Sequence, residues 1–188
     1  MIPAPAPIGT RPAERTIHVV QGEYKIVGDD DAVLSTILGS CVATCLHDPV
    51  ARVGGMNHFL LPGDANSTAA DGMKYGVNAM ELLINGLLQR GASRARLQAK
   101  LFGGAHVMQG LSDIGEKNGA FARKFLQTEG IQIVSASLGG DRARRVRYWP
   151  ATGRASQLLL DKADVFTAER EAPRKPVVAP DAGALELF

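Results

Sequence analysis

Val42-Ala43-Thr44-Cys45-Leu46-His47-Asp48-Pro49-Val50-Ala51-Arg52-Val53-Gly54-Gly55-Met56-Asn57-His58-Phe59-Leu60 is the stretch on which the fold turns. Two runs rich in β-branched and aliphatic residues, Val42 to His47 and Arg52 to Leu60, flank Asp48-Pro49-Val50-Ala51. Asp at the first turn position and Pro at the second favour a type I turn, so the stretch reads as a β-hairpin. If that hairpin is regular about Pro49 and Val50, positions whose numbers add to 99 face one another, and Cys41 faces His58. Gly54-Gly55 is the place where a bulge would shift the pairing.

Outward from the hairpin the chain keeps the same character. Thr16 to Val20, Glu23 to Val27 and Val33 to Leu38 read as strands before it. After it, Val77, Met80, Ile84 and Leu87 recur at helical spacing within Met73 to Arg90, and Gly91 marks the stop. Arg94 to Phe102 returns to strand, and a second helix is expected from Asn118, as its cap, to near Gly130, burying Phe121 and Phe125. Ile131 to Ser137, Arg144 to Trp149 and Ala155 to Leu160 complete the strands. Many strands with two helices between them predict an α+β layered fold with a largely antiparallel sheet.

The 188 residues suit one domain, and 45% hydrophobic with 5% aromatic residues indicates a soluble core packed by aliphatic side chains. Seven of the ten prolines lie within residues 1–12 and 173–180. Residues 1–15 and 168–188 are therefore expected to be disordered tails around a domain at 16–167. The apolar end Leu185-Glu186-Leu187-Phe188 reads as a short docking peptide. A net charge of +2 lacks the excess that backbone phosphate binding demands, which disfavours nucleic acid. No apolar run approaches the roughly 20 residues of a membrane span. The N-terminus lacks the pattern of a secretion signal, so a cytoplasmic location is expected.

A thiol beside an imidazole is the minimum for thiol nucleophilic catalysis, because a neighbouring histidine stabilises the thiolate. Gly39-Ser40 before Cys41 forms a small-residue turn that lets a carbonyl approach and frees backbone N–H groups for an oxyanion. By itself the pair is equally well an ordinary buried cysteine and a satisfied core histidine. A zinc site from Cys41, Cys45, His47 and His58 is the metal alternative. On a strand, however, Cys41 and Cys45 are about 13 Å apart, too far to share an ion. His106 reads as a solvated loop residue, and Asn57 faces away from His58 on a regular strand. Arg142, Arg144, Arg145 and Arg147 form the densest basic cluster, a solvated face or a docking surface for an acidic partner.

Thr36-Ile37-Leu38-Gly39-Ser40-Cys41-Val42-Ala43-Thr44-Cys45-Leu46, with Gly54-Gly55-Met56-Asn57-His58-Phe59-Leu60-Leu61-Pro62, resembles the chemoreceptor glutamine deamidase family, CheD. Tyr75-Gly76, Lys100 to Ala105, Ile114 to Asn118, Leu138-Gly139-Gly140 and Ala143 to Val146 resemble further blocks of that family, so the likeness spans about residues 20–155. The resemblance implies an α/β sandwich related to bacterial toxin deamidases. It also implies hydrolytic deamidation of receptor glutamines by a Cys-His-Thr triad without metal or organic cofactor. Cys41 and His58 match the first two members. Six residues before the cysteine, where the family has threonine, this chain has Ser35, with Thr36 beside it. Neighbours on a strand point to opposite faces, and the family spacing selects Ser35. Hydrolysis of receptor methyl esters is the side reaction implied, transglutamination the enzymatic rival, and a CheC-type CheY phosphatase the implied regulatory partner. A non-catalytic regulatory module of the chemotaxis pathway is the alternative of a different class.

Overall fold

The computed structural model describes residues 13–62, 69–107 and 112–161. The expected tails and the Leu185–Phe188 peptide lie almost wholly outside these residues. Among the described residues nine strands and two long helices follow in the order β1 (Arg15–His18), β2 (Tyr24–Val27), β3 (Ala32–Leu38), β4 (Val42–Asp48), β5 (Val53–Phe59), α1 (Ala69–Gln89), β6 (Gln98–Gly103), α2 (Ser112–Thr128), β7 (Gln132–Leu138), β8 (Arg144–Trp149) and β9 (Arg154–Leu159). They build two sheets, one ordered β1-β3-β8-β9 and the other β2-β5-β4-β6-β7. The β1–β3 and β6–β7 pairs are parallel and the other five pairings antiparallel. The α+β layering with a largely antiparallel arrangement is therefore present, and the sheet expected as one is divided in two.

Strand alternation explains the layers, because successive side chains leave a strand on opposite faces. Val42, Leu46 and Phe59 of the five-stranded sheet pack with Met80, Leu83, Ile84 and Leu87 of α1 and with Phe121, Ala122 and Leu126 of α2. Ala43, Cys45 and Met56 project from the same strands in the other direction, onto Leu34, Leu38, Val146 and Tyr148 of the four-stranded sheet. The molecule is thus sheet on sheet, with a helical layer over one of them. Burying such aliphatic side chains stabilises by about 1.5–3 kcal/mol each.

Three local expectations are corrected. The hairpin register runs Ala43↔His58 and Cys45↔Met56, so paired numbers add to 101. Asp48 pairs with Val53 rather than with Ala51, so the connection is Pro49 to Arg52. The Asp48 carboxylate accepts from Val50 and Ala51 N–H at 2.9 and 3.1 Å, and Arg52 closes the loop at φ 52° in the left-handed region. Gly54 and Gly55 stay in register without a bulge. Their lack of side chain serves close approach, since a Cβ on Gly54 would meet the Pro150 carbonyl oxygen at 2.6 Å.

The second correction concerns Arg94–Arg96, expected as strand, which forms one turn of 3-10 helix before β6. The third concerns α2, which begins at Ser112, so Asn118 lies inside the helix instead of capping it. Asn118 is fully buried, and its side chain serves the site described next.

Candidate active site

The site lies where the end of β5, the loop before β4 and the middle of β3 converge between the sheets. β3 belongs to one sheet and β5 to the other, so its central contact is made across the sandwich. Thr36 Oγ1 is 2.8 Å from His58 Nδ1, and both residues are buried. The same hydroxyl donates to the Val19 carbonyl at 2.7 Å.

That pair of bonds fixes the tautomer. A carbonyl only accepts, so the single hydroxyl proton of Thr36 is committed to Val19, and Oγ1 can only accept from His58. Nδ1 therefore carries the proton, with the Val19 oxygen as a second acceptor at 3.3 Å. Nε2 is left unprotonated, buried, and without a hydrogen-bond partner among the described residues. Burial lowers the His58 pKa, against an opposing contribution from the Val19 carbonyl. The ring is thus neutral near pH 7 and offers one basic lone pair.

Ser35, the hydroxyl selected by family spacing, does not reach His58. It stands opposite Arg147 in the β3–β8 pairing. Its neighbours Leu34 and Thr36 project between the sheets, so Ser35 projects from the outer face. The hydroxyl that meets His58 is that of Thr36, one residue later on the opposite face of the strand.

Cys41 immediately precedes β4 and packs into the intersheet cluster, the face that His58 also uses. Because His58 pairs with Ala43, Cys41 is its diagonal neighbour, with β-carbons about 7–8 Å apart in regular geometry. Direct opposition, expected from a hairpin regular about Pro49 and Val50, is thus replaced by a diagonal. The partly buried thiol is pushed up to about 11 by desolvation, against a lowering contribution from its own backbone N–H. Its hydrogen-bond partner is Gln21 Oε1 at 3.4 Å.

The residues around Cys41 are held by their carbonyls. Gly39 O accepts from Ala105 N at 2.9 Å, Cys41 O from Gly104 N at 2.8 Å, and Ser40 O from the Asn118 side-chain amide at 2.9 Å. Asn118 Oδ1 accepts from Leu61 N at 2.9 Å, so one buried amide ties the loop before Cys41 to the segment following His58. Sequence reading missed this role because a helix-interior asparagine resembles a cap. Gly103, at φ 110°, lets β6 pass beneath Cys41, where a Cβ would lie 2.1 Å from the Cys41 carbonyl oxygen.

The remaining candidates are dispersed. Cys45 is buried between the sheets, and His47 Nδ1 is 2.8 Å from the Pro150 carbonyl oxygen. Asn57 binds Thr44 N and the Ala79 carbonyl, which places it on the α1 side of the sheet. His106 is exposed, and its backbone N–H donates to Gly140. The four arginines do not share a face. Arg144 is buried and donates to the Ser137 and Gly139 carbonyls, Arg142 pairs with Asp161, and Arg147 pairs with Glu14.

A chemoreceptor glutamine deamidase of Rhizobium meliloti, described as probable, is 54% identical over 183 residues, which cover 96% of this chain and all of that one. Residues 60–157 match the family described as CheD chemotactic sensory transduction. The chain belongs to the CheD family. Relatives carrying the same description occur in Agrobacterium fabrum, 52% identical over 94% of this chain and 98% of that one. Another, in Acidiphilium cryptum, is 57% identical over 93% and 94% respectively. The CheD family match begins beyond Cys41 and His58, whereas the full-length relatives span the region that holds both.

Proposed function

We propose that this chain deamidates glutamine side chains in the cytoplasmic domains of chemoreceptors, converting them to glutamate through a Cys41 thioester. The observation that carries this reading is the fixed tautomer of His58, whose buried Nε2 lone pair has no hydrogen-bond partner among the described residues, on the sheet face that also carries Cys41. A neutral thiol needs such a base to lose its proton as it attacks.

Cys41 Sγ attacks the amide carbon while His58 Nε2 takes the thiol proton. His58 returns that proton to the amide nitrogen, the C–N bond breaks, and ammonia leaves. Water then attacks the thioester with His58 as base, and the C–S bond breaks to give glutamate and free Cys41. Thr36 and Val19 hold the imidazole through both steps and favour the imidazolium formed in each. The Cys41 backbone N–H, with the Gly39-Ser40 turn, supplies donors for the oxyanion. A glutamate methyl ester carries the same acyl group, so the same residues hydrolyse methylated receptor positions.

Among the described residues no helix is long and apolar enough to cross a membrane. The proposed place of action is the cytoplasm, where receptor signalling domains lie, with a CheC-type CheY phosphatase as regulatory partner. The test is peptide mass spectrometry of a receptor cytoplasmic fragment incubated with wild type or Cys41→Ala. Amide-to-acid conversion at defined glutamines, with ammonia release and dependence on Cys41, is the expected result. Conversion that persists in the variant removes Cys41 as nucleophile.

A further inference from the structure

Gln21 is an exposed residue in the turn between β1 and β2, and its carboxamide lies against the Cys41 sulfur. The position of this turn is tied to the catalytic histidine. Gly22 N–H donates to the His58 carbonyl at 2.7 Å, and His58 N–H donates to the Glu23 carbonyl at 3.0 Å. Two backbone bonds to one residue thus place the Gln21 side chain on the solvent side of the thiol, where a substrate amide must approach.

A carboxamide has an acceptor at one terminus and two donors at the other, and a half-turn about its last bond exchanges them. Against a neutral thiol it presents oxygen, as observed at 3.4 Å. Once the proton has gone to His58, a sulfur anion at the same place calls for a donor instead. The same need follows when charge develops on the substrate oxygen. The Cys41 backbone N–H already bears on the sulfur and lowers its pKa, and a side-chain N–H of Gln21 would be a second donor beside it.

We propose that Gln21 is a catalytic residue whose side-chain N–H stabilises first the Cys41 thiolate and then the oxyanion of the tetrahedral intermediate. The assignment rests on Cys41 being the nucleophile. It adds to the backbone donors a side-chain donor that lies twenty residues earlier in sequence and on a different element. No spacing rule links the two positions.

The test compares Gln21→Ala and Gln21→Glu with wild type and Cys41→Ala, using a chemoreceptor cytoplasmic fragment as substrate. Both Gln21 variants are expected to lose about 10²-fold in kcat, the scale for one lost oxyanion donor, with KM little changed. Gln21→Glu, which offers only acceptors, loses more. The pH profile of iodoacetamide alkylation at Cys41 shifts to higher pH in both. Because Gln21 is exposed, matched circular dichroism and melting curves are expected for all four proteins.

Wild-type kcat in Gln21→Ala overturns the assignment. A faster Gln21→Ala also overturns it, since Gln21 would then be a plug on the thiol. So does Cys41-dependent conversion of residue 21 to glutamate in the wild type, which would make it a substrate. If Cys41→Ala itself stays active, the nucleophile reading fails and takes Gln21 with it. Loss of Cys41→Ala activity beside a fully active Gln21→Ala removes Gln21 alone.

Discussion

Thr36 Oγ1 and His58 Nδ1 meet at 2.8 Å across the gap between two sheets, joining β3 of one to β5 of the other. This contact makes the relative placement of the sheets part of the chemistry. Were the sheets to slide by one residue, the ring would part from the hydroxyl and from the Val19 carbonyl together, because the Val19 N–H donates to Ser35 of β3.

Thr36→Val keeps shape and strand preference but removes the acceptor that selects the tautomer. Its kcat is expected to fall by roughly 10²-fold, within the 10²–10⁴ range that a positioned general base contributes. Thr36→Ser restores most of it. Ser35→Ala, on the outer face, keeps the wild-type rate. Ammonia release from a receptor fragment measures all three, and the reverse ordering of Thr36→Val and Ser35→Ala would return the role to Ser35.

Cys41 rests as a neutral thiol, with burial raising it to about 11. At that value only about 10⁻⁴ of it is ionised at pH 7, and burial keeps His58 uncharged as well. The free enzyme therefore holds a thiol–imidazole pair, with proton transfer coupled to attack. Iodoacetamide alkylation at Cys41 is expected to rise with pH through neutrality and level off only near 11. A plateau already reached at pH 6 would indicate a preformed thiolate–imidazolium pair. Stability follows the same group. Its folded value exceeds the ordinary 9.0, so its contribution is complete below pH 9 and lost as pH rises toward 11. Cys41→Ser should flatten that alkaline loss.

Much of this was legible in the sequence, and the misses have physical reasons. Helical spacing identified the buried face of α1 at Met80, Ile84 and Leu87, because a 3.6-residue period survives errors at helix ends, whereas Val77, read as part of the same face, is exposed. Strand alternation also placed Asn57 and His58 on opposite faces, as the structure has them. Register was harder. Asp48-Pro49 announces a turn but not its length, and two extra loop residues move every partner by two. A shift by two preserves the face, so Cys41 and His58 still project between the sheets even though the predicted direct pair became a diagonal. Ser35 was misjudged because position in a family motif does not reveal which face of β3 turns inward. Gln21 and Asn118 reach the site from distant segments, and no local pattern encodes such contacts.

Asn118 holds Ser40 and Leu61 together from inside α2 and is fully buried. Asn118→Leu fills similar volume but leaves the Leu61 N–H and the Ser40 carbonyl unpaired, at about 1–3 kcal/mol for each buried group left unsatisfied. The Gly39–Cys41 loop is then free to shift, so kcat should fall even at temperatures where the variant is fully folded. Urea titration with parallel activity measurements checks both. Wild-type kcat at a lowered unfolding midpoint would confine Asn118 to stability.

Asp48 determines the hairpin length, and through it the position of His58. Its side chain has no solvent exposure and accepts from Arg96 Nη2 at 2.7 Å, from Ser93 N at 2.8 Å, and from the two loop amides of Val50 and Ala51. Burial alone would raise its pKa, yet the Arg96 guanidinium and these three backbone donors hold it well below the usual carboxylate range. The sign follows from that depression. Stability from Asp48 is complete above the ordinary value of 3.8 and is lost as pH falls below it toward the folded value. Asp48→Ala orphans the three N–H groups, while Arg96, 40% exposed, stays solvated. The expected loss at pH 7 is therefore about 1–3 kcal/mol or more, carried by the backbone donors. Subtracting the variant's stability from that of wild type at each pH should give a difference that is flat above pH 5 and shrinks in acid. A difference independent of pH down to 2 would show that the carboxylate charge is not what closes the loop. Activity provides the second reading, because a loop shortened by relaxation moves His58 out of register with Ala43 and away from Thr36.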